Sequence, residues 1–164
     1  MGKKPRRSHE AGHRAKFLVV VDDTKECDRA VYFAARRAAR TGAALAMLAV
    51  VEPIDFQQWL GVGEIMKDEA EAHAADTLER FAARARAVAG IEPEKIVRVG
   101  VKAEEIVRLI EEDEDIFILV LAAGTDSDGP GPLVSLLAHK ADTFPVPVAI
   151  VPGGLADEDL DAIA

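Results

Sequence analysis

The chain has 164 residues, 49% of them apolar, enough for one domain with a substantial core and too few for two. Residues 1–16 set six Lys and Arg against Glu10 alone, so within a net charge of −9 an arm of +5 precedes a body of −14; an acidic body argues against general nucleic-acid binding, which needs cations against phosphate. No apolar run nears the roughly 18 residues of a membrane span, the basic start lacks the apolar stretch of a secretory signal, and a lone cysteine, Cys27, forms no internal disulfide, so the chain reads as cytoplasmic.

Residues 1–16 read as a disordered basic arm, with contact to nucleic acid or an anionic membrane as the other reading, and His9 and His13 have no ligand set around them there. Residues 17–21, FLVVV, form an apolar run expected of a strand buried on both faces. Asp22, Asp23 and Thr24 close it, and Asp23 followed by Glu26 has the form of a helix capping box. Ala30, Val31, Ala34, Ala35 and Ala38 then recur at helical spacing, with Gly42 as the stop. Residues 44–51 read as the second strand, ended by Glu52 and Pro53. A loop over 54–63 carries Phe56 and Trp59, the latter read as a lid or as an anchor. A long helix runs from about 64 to 89, with His73 at its interior or boundary. Strand three spans 96–101 and its helix 104–113. Strand four spans 116–123, followed by a loop over 124–132 and a helix over 133–141. Residues 148–151 form a short fifth strand, and 153–164 an acidic, peripheral tail.

The order βαβαβαβαβ within 17–152 demands a mostly parallel α/β sheet, because right-handed crossovers place helices on both faces. Ligands of such sheets bind at the carboxyl ends of the strands, where the loop after strand four opens.

From residue 17 to 152 the chain resembles a universal stress protein domain. The resemblance rests on VVVDDT at 19–24, VVEP at 50–53, VGVKAEEIVRLIEE at 99–112 and PVPVAIVP at 145–152. It implies an open, doubly wound, five-stranded parallel sheet of strand order 3-2-1-4-5, of the adenine-nucleotide alpha-hydrolase-like kind. It further implies a homodimer paired through the last strand and a stress-response role in binding and signalling. Some members bind ATP and others do not. Carried over residue by residue, Asp22 stands at the family's aspartate, Thr24 at its usual serine, and Asp23 replaces a glycine. Val50 or Val51 stands where backbone groups meet adenine. The ATP signature runs Gly-x-x-Gly, then after a spacer Gly-Ser or Gly-Thr. Gly124 matches the first glycine, Ser127 stands where the second belongs, Val134 replaces the third, and Ser135 matches the serine. Thr125, Gly129 and Gly131 complete the candidate phosphate contacts in a loop shorter than the family pattern.

A phosphate site at a strand-to-helix turn works through backbone N–H groups converging at a helix N-terminus. Pro130 and Pro132 have no N–H, and Asp126 and Asp128 place carboxylates beside a polyphosphate. At about 4 Å and an effective dielectric near 20, one such repulsion costs roughly 4 kcal/mol, more than a typical charged hydrogen bond contributes. Mg²⁺ bridging carboxylate and phosphate reverses that sign, and Gly129 and Gly131 keep the backbone permissive. Two readings stay open. One is a non-catalytic module with a degenerate nucleotide site. The other is an ATP switch with slow hydrolysis, using Asp22, the 124–131 backbone and Ser135 with Mg²⁺ supplied. Asp, Gly and Pro are also ordinary turn residues, and Asp22 is either a ligand contact or a cap for the next helix.

Other chemistry finds less. Residues 124–129 spell Gly-x-x-Ser-x-Gly, which is not a nucleophile elbow, and no Gly-x-Gly-x-x-Gly follows strand one. Four histidines without paired spacing make no zinc site, so no catalytic and no metal residues are assigned. Cys27 reads as a packed small residue rather than an activated thiol. Val148, Ala149, Ile150 and Val151 form an apolar strand at one end of the implied order, a pairing edge for a second copy.

Overall fold

Alternation along the first strand sets the architecture. Phe17 and Val19 turn to one face of the sheet and Leu18 and Val20 to the other, and all four are buried. The computed structural model describes residues 4–53 and 56–164. Its elements are β1 (Lys16–Val20), α1 (Cys27–Thr41), β2 (Ala44–Val51), α2 (Phe56–Ala89), β3 (Glu94–Val99), α3 (Lys102–Glu112), β4 (Ile116–Ala123), α4 (Pro132–His139), β5 (Val148–Pro152) and α5 (Asp157–Ile163). The five strands form one sheet of order β3-β2-β1-β4-β5, and every pair is parallel. This is the expected doubly wound α/β fold.

Each face has its own core. On one, Phe17, Val19 and Val21 pack with α1, whose Ala30, Ala34, Ala35 and Ala38 let the helix lie close to the strands, and with Leu78 and Phe81 of α2. On the other, Leu18 and Val20 pack against Ile106 and Ile110 of α3 and Val134 and Leu137 of α4. Gly42 ends α1 in the left-handed region (φ 74°), where its N–H reaches Ala38 O and a side chain would be strained. The chain leaves β1 toward β2 on one side and reaches β4 on the other. The switch point, and with it the ligand crevice, therefore lies above the carboxyl ends of β1 and β4.

Three expectations are corrected at the periphery. Helix α2 begins at Phe56, so the loop expected over 54–63 is mostly helix; the reading of the Trp59 side chain as lid or anchor lies outside the described residues. The basic arm, expected as disordered, is tied to the domain through Arg6, Ser8 and His13 while most of its residues stay exposed. Arg6 Nη1 donates to Ile110 O, Asp113 O and Ile116 O at 2.6, 3.0 and 3.3 Å. Helix α3 has no basic residue in its last turn, and Arg6 supplies from a distance the cation that its C-terminal carbonyls favour. The acidic tail is not peripheral either. It forms α5, whose Leu160 is completely buried against α1, and burial of such a side chain contributes roughly 1.5–3 kcal/mol. Arg29 and Arg40 of α1 tie the same segment down, donating to Asp157 Oδ1 at 2.7 Å and to Asp161 O at 2.7 Å.

Candidate functional site

The mouth consists of three abutting cavities that share lining residues. The first, of about 170 Å³, is lined by Asp22, Thr24, Glu26 and Cys27 after β1 and by the Pro130–Val134 segment after β4. The second, of about 400 Å³, lies over the end of β2 and is lined by Val50, Val51, Glu52, Asp22, Asp23 and the α2 residues His73 and Thr77. The third, of about 350 Å³, lies over the loop after β4 and joins Gly124, Gly129, Gly131 and Ser135 to Glu26, Asp126 and Asp128. Asp22 and Lys102 line both of the first two, and Glu26 lines the first and third.

The structure thus brings Asp22, Thr24, Val50, Val51, Gly124, Gly129, Gly131 and Ser135 around one opening. Thr125 and Ser127 do not line it. Thr125 turns toward the β5 end, where a Cβ placed on Gly153 would stand 3.3 Å from Thr125 Cγ2 and only 2.4 Å from Ala123 O. Ser127 is exposed at the loop tip.

The turn after β1 is held differently from the expected capping box. Helix α1 starts at Cys27 with Glu26 as its N-cap and no side-chain cap bond. Asp22 does not cap the helix: its Oδ1 accepts from Thr24 N at 2.9 Å and from Thr24 Oγ1 at 2.5 Å, closing the turn on itself. Asp23 is drawn across to α2, where Oδ2 meets His73 Nε2 at 2.7 Å and Oδ1 accepts weakly from Thr77 Oγ1 at 3.5 Å. The His73 hydrogen bond holds the Asp23 carboxyl below its usual range. Burial pushes the Cys27 thiol up to about 12, so it is a packed, protonated side chain at physiological pH.

The loop after β4 is also closed on itself. Gly124 N donates to Pro130 O at 3.0 Å, Gly129 N to Asp126 O at 3.1 Å, and Ser135 N to Gly131 O at 3.1 Å. Each of these three N–H groups already has an acceptor, the last one as the first-turn bond of α4. Glu26 stands over the same place: a methyl on Gly124 would come within 3.1 Å of Glu26 Oε1 and 3.4 Å of Gly129 O. Asp126 is paired with Lys25 at 3.0 Å, both side chains largely exposed. Gly131, at φ 109°, sets the entry into α4 in a conformation that favours glycine. The loop thus sets the carboxylates of Glu26, Asp126 and Asp128 beside its glycines. Among the described residues no group of three or more His, Cys, Asp and Glu is placed to hold a metal ion.

Glu26, Glu52, His73 and Lys102 were not singled out as mouth residues from sequence. Lys102 opens α3 with its N–H on Glu52 Oε1 at 2.7 Å, and among the described residues its ammonium has no hydrogen-bond or ion-pair partner. The available signal was positional: Glu26 follows the first strand's turn, and Lys102 follows the third strand.

The family model of the universal stress protein family matches residues 13–152. No curated protein matches the sequence. Among solved structures, the universal stress protein UspA from Lactobacillus plantarum is similar at a TM-score of 0.71 and 23% identity, over 84% of this chain and 97% of that one. A universal stress protein from Archaeoglobus fulgidus in complex with dAMP is similar at a TM-score of 0.59 and 21% identity, over 84% and 97%. A family protein from Arabidopsis thaliana with AMP bound is similar at 0.60 and 18% identity, over 88% and 94%. No described helix is long and apolar enough to cross a membrane. With the parallel sheet, its order and the family match over most of its length, the chain belongs to the universal stress protein family.

Proposed function

We propose that this protein is a non-catalytic binding and signalling module of the stress response whose nucleotide site is degenerate on its phosphate side. The observation that carries this reading is the self-closed loop after β4, with Gly124 N on Pro130 O and Glu26 over Gly124. The adenine side is more favourable. The cavity over Val50 and Val51 is roomy, and Lys102 offers one cation to an anionic group. Two similar folds hold dAMP and AMP, so an adenine ligand with few phosphates is the chemistry this mouth fits best. Two copies pair antiparallel through β5, and a ligand at the mouth acts by shifting that dimer's interaction surface.

The test is calorimetric titration of the purified protein with AMP and with ATP, each with and without Mg²⁺. AMP binding weakly, with ATP no tighter, is the expected result. Saturable micromolar ATP binding that is lost on Gly124→Val would replace this reading with the ATP switch.

A further inference from the structure

The N-terminal segment builds a further cavity, at the end of the sheet opposite the mouth. It is fixed on both flanks. Ser8 Oγ donates to Asp115 O at 2.9 Å and His13 Nδ1 meets Asp115 Oδ1 at 2.6 Å. Arg14 donates through Nε to Gly42 O at 2.9 Å and through Nη2 to Ala43 O at 3.3 Å. Between this segment, the first residues of β1 and β4 and the last turn of α1 lies a cavity of about 550 Å³, within the range of small-molecule sites.

Its apolar wall is aromatic. Phe17 and Phe117 meet edge to face with ring centroids 4.8 Å apart, and His9 stands edge-on to Phe117 at 5.6 Å. Its polar rim carries His9, His13, Arg14 and Arg37 and no carboxylate. Each cavity of the mouth is lined by at least two carboxylates. In a chain of net charge −9 this lining stands apart, and the nearest carboxylate the structure shows, Asp115, is held by His13 at 2.6 Å. Two of these groups remain unbonded: among the described residues, neither the Arg37 guanidinium nor a His9 ring nitrogen makes a hydrogen bond or ion pair. Two of its lining residues, Ser8 and His9, precede residue 13, where the family match begins.

We propose that this cavity binds a small organic anion with a flat aromatic body. The ring packs against Phe117, which Phe17 backs from the core and whose edge and face favour another ring. The carboxylate pairs with Arg37, whose planar fork matches it. The site is independent of the mouth and of any nucleotide there.

The test uses the full chain, with 2-naphthoate as the probe and 2-naphthylmethanol as the neutral control, followed by fluorescence and by amide chemical-shift mapping. Naphthoate is expected to saturate one site, with shifts at His9, Arg37 and Phe117. The alcohol and the R37A variant are each expected to bind at least about tenfold more weakly, the loss of one charged hydrogen-bonding pair. Arg37 is exposed and its side chain is unbonded, so R37A should keep its unfolding midpoint; the shift map of the unaltered chain decides the question even if it does not. No saturation at millimolar probe, equal affinity for the alcohol, undiminished binding by R37A, or shifts at the mouth instead would each overturn the proposal.

Discussion

Glu26 closes over Gly124. A carboxylate oxygen from the turn after β1 lies 3.1 Å from where a methyl on Gly124 would be, across the switch point between β1 and β4. Two chain segments far apart in sequence thus meet where an anionic ligand would place its phosphate, and they meet with a negative charge.

Neutralising that charge should favour an anion. Glu26→Gln is expected to tighten AMP binding by about tenfold, a fraction of the roughly 4 kcal/mol limit for a close like-charge pair because the mouth is open to water. Calorimetry on the two proteins checks it. Unchanged or weaker binding by the variant would mean that Glu26 does not oppose the ligand.

The Asp23–His73 pair links the β1 turn to α2, and it carries a pH signature. Asp23 titrates below its ordinary 3.8 because His73 hydrogen-bonds its carboxylate. A depressed folded-state value means that the contribution is present above about 3.8 and lost as pH falls through the folded value. In His73→Asn the Asp23 carboxyl should titrate higher, nearer the ordinary value, as read from its carbon shift. An unmoved titration would show that the pair does not form in solution. Both side chains are largely exposed, so the effect on global stability should be small.

Cys27 is buried, with its thiol pushed up to about 12. It should not react with a disulfide reagent in the native state at pH 8, and should react once in denaturant. Stoichiometric labelling of the folded protein within minutes would place Cys27 in an open, activated setting instead.

Strand β5 pairs with β4 alone, and Ile150 on it is 46% exposed. Ile150→Lys is expected to convert the proposed dimer to a monomer, because a charge on an edge strand opposes pairing. Sedimentation at micromolar concentration reads the change. A monomeric unaltered protein would remove β5 pairing from the account.

Regular structure was largely legible along the chain because it depends on local patterns. β2 and β4 lie where their apolar runs lie, and α1 stops at Gly42 because a left-handed residue is needed there. The start of α2 was missed: Phe56, Trp59 and nearby glycines suggested a loop, yet the segment forms the first turns of a 34-residue helix. The N-terminal arm and C-terminal tail were misread for another reason. Charge content alone says disorder, and it does not reveal that Arg6 finds the carbonyls at the end of α3 or that one leucine, Leu160, finds a pocket on α1.

By itself the sequence determined a parallel sheet with helices on both faces, and the place of a loop rich in Asp, Gly and Pro at its mouth. Apolar periodicity and turn residues act over a few positions, so they can be read in order. Only the tertiary structure decided what that loop offers a ligand. Hydrogen bonding between Gly124 and Pro130, the approach of Glu26 from the β1 turn, and the arrival of Lys102 from α3 depend on which segments the fold brings together. The same holds at the far end, where His9, Arg37 and Phe117 share a cavity only because the arm folds back under the sheet.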